Sequence, residues 1–125
     1  MVRSVLEGVG YNLKLILEIL EQSQKLDDII IIGGGAKGDI WLQILADIWQ
    51  KTLLVPRYLE EATSMGAAVC GGIGVGAFDN FNVMKEFNKT EKIIEPNKQK
   101  ANTYQKMYQA FNSAYEGLCH TFDLL

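Results

Sequence analysis

Apolar positions along the chain change their period at a few sharp points. Val2, Val5, Leu6, Val9, Leu13, Ile16, Leu17 and Leu20 recur at helical spacing, which predicts a first helix over residues 2–24. Ile29-Ile30-Ile31-Ile32 then forms a β-branched run that is apolar on both faces, as a central, parallel strand would be. Gly33-Gly34-Gly35-Ala36-Lys37-Gly38 follows at once. Ile40, Trp41, Ile44, Leu45, Ile48 and Trp49 come as doublets every four residues, giving a helix over 40–50 with a wide buried stripe and Asp39 as its N-cap. Residues 52–55 make a second strand, stopped by Pro56.

The rest of the chain is helical in pattern. Residues 60–75 form a helix with a face of small residues (Ala62, Gly66, Ala67, Ala68, Gly71, Gly72), ended by Gly74 and Gly76. Residues 82–87 fit one short helix, and 92–94 an extended piece before Glu95-Pro96. In the last helix Tyr104, Met107, Tyr108, Phe111, Tyr115 and Leu118 share a stripe that suits a core or a docking face. The class is α/β, with two parallel strands and flanking helices. Two parallel strands cannot cover their own edges and faces, so the pattern implies absent upstream strands and a larger fold. It also implies self-association of the chain alone, as a homo-oligomer.

Totals narrow the function classes. The 125 residues suffice for one domain, and 48% hydrophobic with 22% charged residues is a globular composition. A net charge of −3 suggests neither a nucleic-acid nor a membrane surface. Lysines gather over 85–100, but Glu86, Glu91 and Glu95 sit among them. No run approaches membrane-spanning length, and no signal peptide opens the chain, so a cytoplasmic location is expected. Cys70, Cys119 and the single His120 lack metal-ligand spacing, and two reduced cysteines fit that compartment. Cys119 and His120 are adjacent on a helix and point apart, which argues against a nucleophile pair.

The glycine turn carries the chemistry. A strand running into bare glycine backbone and then a helix lets a ligand approach N–H groups closely, and a nucleotide suits such a place. Gly33, Gly35 and Gly38 match the GxGxxG spacing of dinucleotide folds, and Arg57 stands where a 2′-phosphate of NADP would be met. A Walker A loop is excluded, because Lys37-Gly38-Asp39 lacks the Ser or Thr after Lys. Asp39 opposes a polyphosphate at the helix start, which favours the adenosine end of a nucleotide there.

Four segments in order resemble the C-terminal domain of the FGGY carbohydrate kinases, most closely the xylulokinase-like branch. They are Arg3–Leu13 (RSVLEGVGYNL), Ile31–Lys37 with Trp41, Gln43, Leu45, Ala46 and Asp47, Glu61–Ala68 (EATSMGAA), and Glu95-Pro96 with the Tyr-rich helix. The resemblance implies a partial actin-like, ribonuclease-H-like ATPase domain, with residues 1–125 forming the C-terminal part of the nucleotide-binding domain. It implies ATP-dependent phosphorylation of a sugar such as xylulose, with Mg²⁺ held mainly by other parts of the enzyme. By position, Gly34 and Gly35 would bring backbone against the adenosine of ATP or ADP, with Ala36 and Lys37 bordering the pocket. Asp39 falls where relatives often have Asn or a small polar residue facing the base. No residue here matches the family's catalytic Asp or phosphate loop, so the isolated chain is expected to be inactive. An NADP-binding Rossmann-like module and a non-catalytic interaction domain remain alternatives.

Overall fold

A computed structural model describes residues 1–122 and Leu124; the side chains of His120 and Phe122 lie outside its described part. Among the described residues five α-helices and three strands succeed one another: α1 (Val2–Glu21), β1 (Asp28–Ile30), a 3₁₀ turn (Gly34–Lys37), α2 (Asp39–Trp49), β2 (Thr52–Pro56), α3 (Ala62–Gly74), α4 (Val83–Phe87), β3 (Thr90–Ile94) and α5 (Ala101–Phe122). A second 3₁₀ turn, Lys98–Lys100, leads into α5.

The sheet has the order β1-β2-β3. β1 and β2 are parallel, with Ile29 beside Leu53 and Ile30 beside Leu54. The third strand corrects the two-strand expectation. β3 extends the 92–94 segment and runs antiparallel to β2, with Ile94 beside Leu53 and a register shift at Val55/Pro56. β1 is shorter than the isoleucine run and is an edge strand in this chain, not a central one. Its pairing ends where Ile31 N–H donates to the Leu54 carbonyl (3.0 Å), and Gly33 then turns the backbone at φ 86°. Ile30 and Ile32 therefore remain 65% and 50% exposed.

Alternation along β2 sorts the two faces of the sheet. Leu53 and Val55 are buried with Leu42, Ile44, Leu45 and Ile48 of α2 and Tyr11 and Leu17 of α1. α2 is the hub of this layer and is apolar on nearly every side. It meets α1 closely, because a Cβ on Gly10 would stand 2.7 Å from Ile48 Cδ1. Trp49 Nε1 donates to the Gly10 carbonyl across the same crossing (3.0 Å). Tyr104 and Tyr108 of α5 complete the core, with Phe111 packed against it. Met107, Tyr115 and Leu118, from the same predicted stripe, are exposed. On the other face, Ile30, Ile32, Leu54, Pro56, Ala62 and Met84 line an open apolar cavity of about 450 Å³ beneath α3 and α4.

Polar side chains fasten these layers. Asp47 is fully buried on α2 yet fully partnered. It accepts from Gln43 Nε2 (2.8 Å), Asn97 N–H (2.9 Å) and Lys100 Nζ (3.0 Å). Burial pushes its pKa up, but the three donors outweigh that and hold it below its ordinary value. Gln43 also donates to the Glu95 carbonyl (3.0 Å), so α2 grips the whole β3–α5 connection. Lys51 joins Glu21 and the Leu26 carbonyl and fixes the α1–β1 corner.

Candidate functional site

The glycine turn sits at the carboxyl end of the two parallel strands, the end at which open α/β sheets take ligands. Its shape comes from Gly33, whose φ of 86° is strained for any residue with a Cβ. Gly33 N–H donates to the Leu59 carbonyl (3.1 Å), binding the turn to the loop after β2. Gly34 to Lys37 then coil as a 3₁₀ turn, with Ala36 N–H on the Gly33 carbonyl (3.0 Å) and Gly38 N–H on Gly35 (3.4 Å). The glycines thus lie on a separate 3₁₀ ledge, not directly on the N-terminus of α2 as a simple strand–turn–helix pattern implies.

The expected site residues divide into two groups. Gly34, Gly35, Lys37 and Asp39 are exposed together along the ledge. A Cβ on Gly34 would meet nothing within 4 Å, and one on Gly35 only the Trp41 indole edge at 3.7 Å. Ala36 lies between them with its side chain turned inward. It is buried among the core residues and anchors the turn from below.

Asp39 is not the N-cap of α2. Gly38 holds that position without a side-chain cap, and Asp39 is the first helical residue. Its carboxylate pairs instead with Lys92, which β3 places on the α2 side of the sheet. The pair leaves Asp39 a weaker obstacle to a phosphate than an isolated carboxylate would be. Lys37 pairs with Glu60 in the loop after β2, and this lysine holds the Glu60 carboxyl below its usual range. Two ion pairs therefore flank the ledge. Neither is legible in the sequence, because Lys92 is 53 residues from Asp39 and Glu60 is 23 from Lys37.

Among the described residues, no three His, Cys, Asp or Glu side chains come together to hold a metal ion. The described residues therefore do not fit a Mg²⁺ cage of their own. Arg57 packs its guanidinium toward the Tyr58 ring (5.4 Å), while its N–H donates to the Lys89 carbonyl (3.0 Å). Among the described residues no helix is long and apolar enough to cross a membrane.

A parallel β–α–β unit with a glycine ledge at its carboxyl end, beside an antiparallel third strand, defines part of an actin-like ATPase domain. Its fold matches sugar kinases of known structure. A xyloylose kinase from Brucella ovis aligns with TM-score 0.84 and 25% identity, over 97% of this chain and 25% of that one. A Plasmodium falciparum glycerol kinase solved with ADP aligns with TM-score 0.74 and 26% identity, over 95% and 24%. The chain belongs to the FGGY family of carbohydrate kinases, whose C-terminal domain it matches over residues 1–75. The xylulose kinase of Staphylococcus epidermidis is 33% identical over 116 residues, 91% of this chain and 23% of the relative. The chain thus spans about a quarter of the length of the curated relatives it matches. Others at similar identity are named autoinducer-2 kinase, glycerol kinase and gluconokinase. Membership assigns the glycine turn to a kinase fold and removes the dinucleotide-fold alternative.

Proposed function

We propose that this chain supplies the adenosine-binding wall of an ATP-dependent sugar kinase acting on xylulose or a similar pentulose. Gly34 and Gly35 press bare backbone against the nucleoside, Lys37 and Asp39 border it, and Ala36 fixes the turn from below. ATP and Mg²⁺ are the reaction's nucleotide and metal, and the metal and the sugar are held mainly by parts of the enzyme outside this chain. Phosphoryl transfer also needs a positioned base and in-line geometry that no residue here provides, so the chain alone turns over no ATP. The cytoplasm, where such sugars are phosphorylated, is the compartment that fits.

One observation carries this reading. The Gly34 ledge is open at the carboxyl end of the parallel strands, with no atom where its Cβ would stand. Gly34→Val tests it, because the branched side chain fits the fold but occupies the ligand's approach. Calorimetric titration with ADP should show binding to the native chain and at least ~10-fold weaker binding to Gly34→Val, about 1.4 kcal/mol. Equal affinities would remove the ledge from the nucleotide site, and tighter binding of NADPH than of ADP would overturn the kinase assignment of the turn. Sugar-dependent ATP hydrolysis by the purified chain would refute its dependence on other parts. Parallel assays of xylulose, glycerol and gluconate with a kinase carrying this chain test the choice of sugar.

A further inference from the structure

The adenosine wall uses the backbone of the ledge and leaves the ammonium of Lys37 without a task. This residue cannot serve as the lysine of a Walker A loop, because Gly38 and Asp39 follow it where Ser or Thr is needed. It nevertheless closes the 3₁₀ turn Gly34–Lys37, directly after the glycines. Its flexible four-carbon stem carries three donors well beyond the backbone of that turn. A bare wall for the nucleoside and a cation that reaches past it are the two parts needed to meet a nucleotide along its length.

Lys37 pairs with Glu60 of the loop between β2 and α3. The two side chains are 59% and 65% exposed. Pairs this exposed are screened by water and cost two long side chains their freedom, so they hold weakly. Lys51 shows the contrast: it is mostly buried in its pair with Glu21 and also donates to the Leu26 carbonyl. Among the described residues Lys37 has no second acceptor. Leaving Glu60 would also disturb little. Gly33 N–H on the Leu59 carbonyl (3.1 Å) holds the loop to the turn separately, so side-chain rotation alone frees the ammonium. A phosphate offers it more negative charge and more acceptor oxygens than one carboxylate does.

We propose that Lys37 is a phosphate-binding residue parked on Glu60, and that it passes from that carboxylate to the phosphate nearest the ribose when a nucleotide settles on Gly34 and Gly35. The assignment rests on the adenosine wall proposed above and adds the phosphate contact that the wall lacks. Glu60 is then a built-in competitor, which lowers nucleotide affinity by the strength of the pair that has to break.

A double-mutant cycle read by calorimetry tests this. ADP and adenosine are titrated into the native chain, Lys37→Met, Glu60→Gln and the double variant. Lys37→Met should bind ADP at least ~5-fold more weakly and adenosine within ~2-fold of the native chain, because only the phosphates lose a partner. Glu60→Gln should bind ADP ~2- to 5-fold more tightly. That gain should vanish in the Lys37→Met background, where no lysine remains to be freed. An equal gain with or without Lys37 would mean that Glu60 repels phosphates at a distance, and would overturn the proposal. So would unchanged or weaker ADP binding by Glu60→Gln, or equal losses of ADP and adenosine in Lys37→Met. Each variant should melt within about 5 °C of the native chain, as an exposed pair implies. A larger drop would make the pair a structural one and overturn the exchange. A native chain that binds both ligands but fails the cycle loses only this role of Lys37, whereas one that binds neither refutes the adenosine wall and this role with it.

Discussion

Asp47 is where a single atom change should cost most. Its carboxylate is fully buried and takes three donors at 2.8–3.0 Å from Gln43, Asn97 and Lys100. Asp47→Ala strips all three at once. Gln43 keeps the Glu95 carbonyl, and Lys100, 44% exposed, can turn to water. The Asn97 N–H has neither escape, and an unmet buried donor costs about 1–3 kcal/mol. Loss of the charge-assisted bonds and of packing raises the total to about 2–4 kcal/mol, with no buried charge left unpaired because Lys100 reaches solvent. For a chain of this size that is a melting temperature lower by roughly 6–16 °C. Asp47→Asn keeps an acceptor for Asn97 and should cost about 1–2 kcal/mol.

The pH dependence separates the causes. The folded-state pKa of Asp47 is depressed, because its donors outweigh the burial that raises it. Its stabilisation is therefore complete above the unfolded carboxylate pKa, near ~3.9, and is lost as pH falls through the lower folded value. Urea unfolding followed by circular dichroism at pH 7 and at steps below pH 4 should show the gap between native chain and Asp47→Asn narrowing with acid. A cost below about 1 kcal/mol for Asp47→Ala, or a gap to Asp47→Asn that does not change with pH, would refute the role given to this carboxylate.

Close contacts and titration give the other expectations. A Cβ on Gly72 would stand 2.4 Å from Phe78 Cδ2, so Gly72→Ala should destabilise by about 1–2 kcal/mol, and Phe78→Leu in the same chain should recover most of it in a double-mutant cycle. Gly10→Ala crowds the tip of Ile48, with Leu45 Cδ2 at ordinary contact (3.5 Å), so helix propensity should offset most of the crowding and leave stability in a thermal melt within about 1 kcal/mol; Gly10→Leu should cost more than about 2 kcal/mol. Burial foremost, with Glu7 and Tyr104 nearby, pushes the Tyr11 phenol up to about 12. Its contribution to stability is present below about pH 10 and lost as pH rises toward 12, so Tyr11→Phe should flatten that part of an alkaline unfolding curve.

Periodicity makes most elements legible, and context decides where it fails. The doublets of α2 place that helix within a residue at either end, because its burial comes from this chain alone. The isoleucine run does not, because its pairing stops at Ile30, and both Ile30 and Ile32 face the open cavity beneath α3 and α4 instead of a packed layer. β3 is only partly visible: Thr90 and Glu91 are too polar to signal a strand, and antiparallel pairing with β2 extends the 92–94 segment through them. Asp39 looks like a cap by position, but a lysine 53 residues away competes for its carboxylate. The ledge glycines are legible as an exposed turn, whereas the inward course of Ala36 depends on 3₁₀ coiling that composition does not encode. Gln50 gives no signal as a helix end. It adopts φ 55° with its side chain on the Asp47 carbonyl (2.7 Å), a place where glycine would be expected.

The family match stops at residue 75, yet the ledge owes its position to residues beyond that point. The 3₁₀ ledge leads directly into α2, so its height and tilt are those of α2. α2 is clamped on one side by α1, through Gly10 and Trp49, and on the other by the segment after residue 75. Asn97 and Lys100 reach back to Asp47, Glu95 to Gln43, and Lys92 to Asp39 at the foot of the ledge. Tyr104 hydrogen-bonds Glu7 (3.0 Å) and Tyr108 hydrogen-bonds Glu18 (2.7 Å), which holds α1 against the same brace. The described residues after Val75 therefore act on the ledge chiefly from beneath, with Lys92 at its flank. Truncation after Val75 should loosen α2 even though every glycine of the ledge is retained. Exchange at the α2 amides in the truncated chain measures that loosening, and unchanged protection there would show that α1 alone suffices to hold the wall.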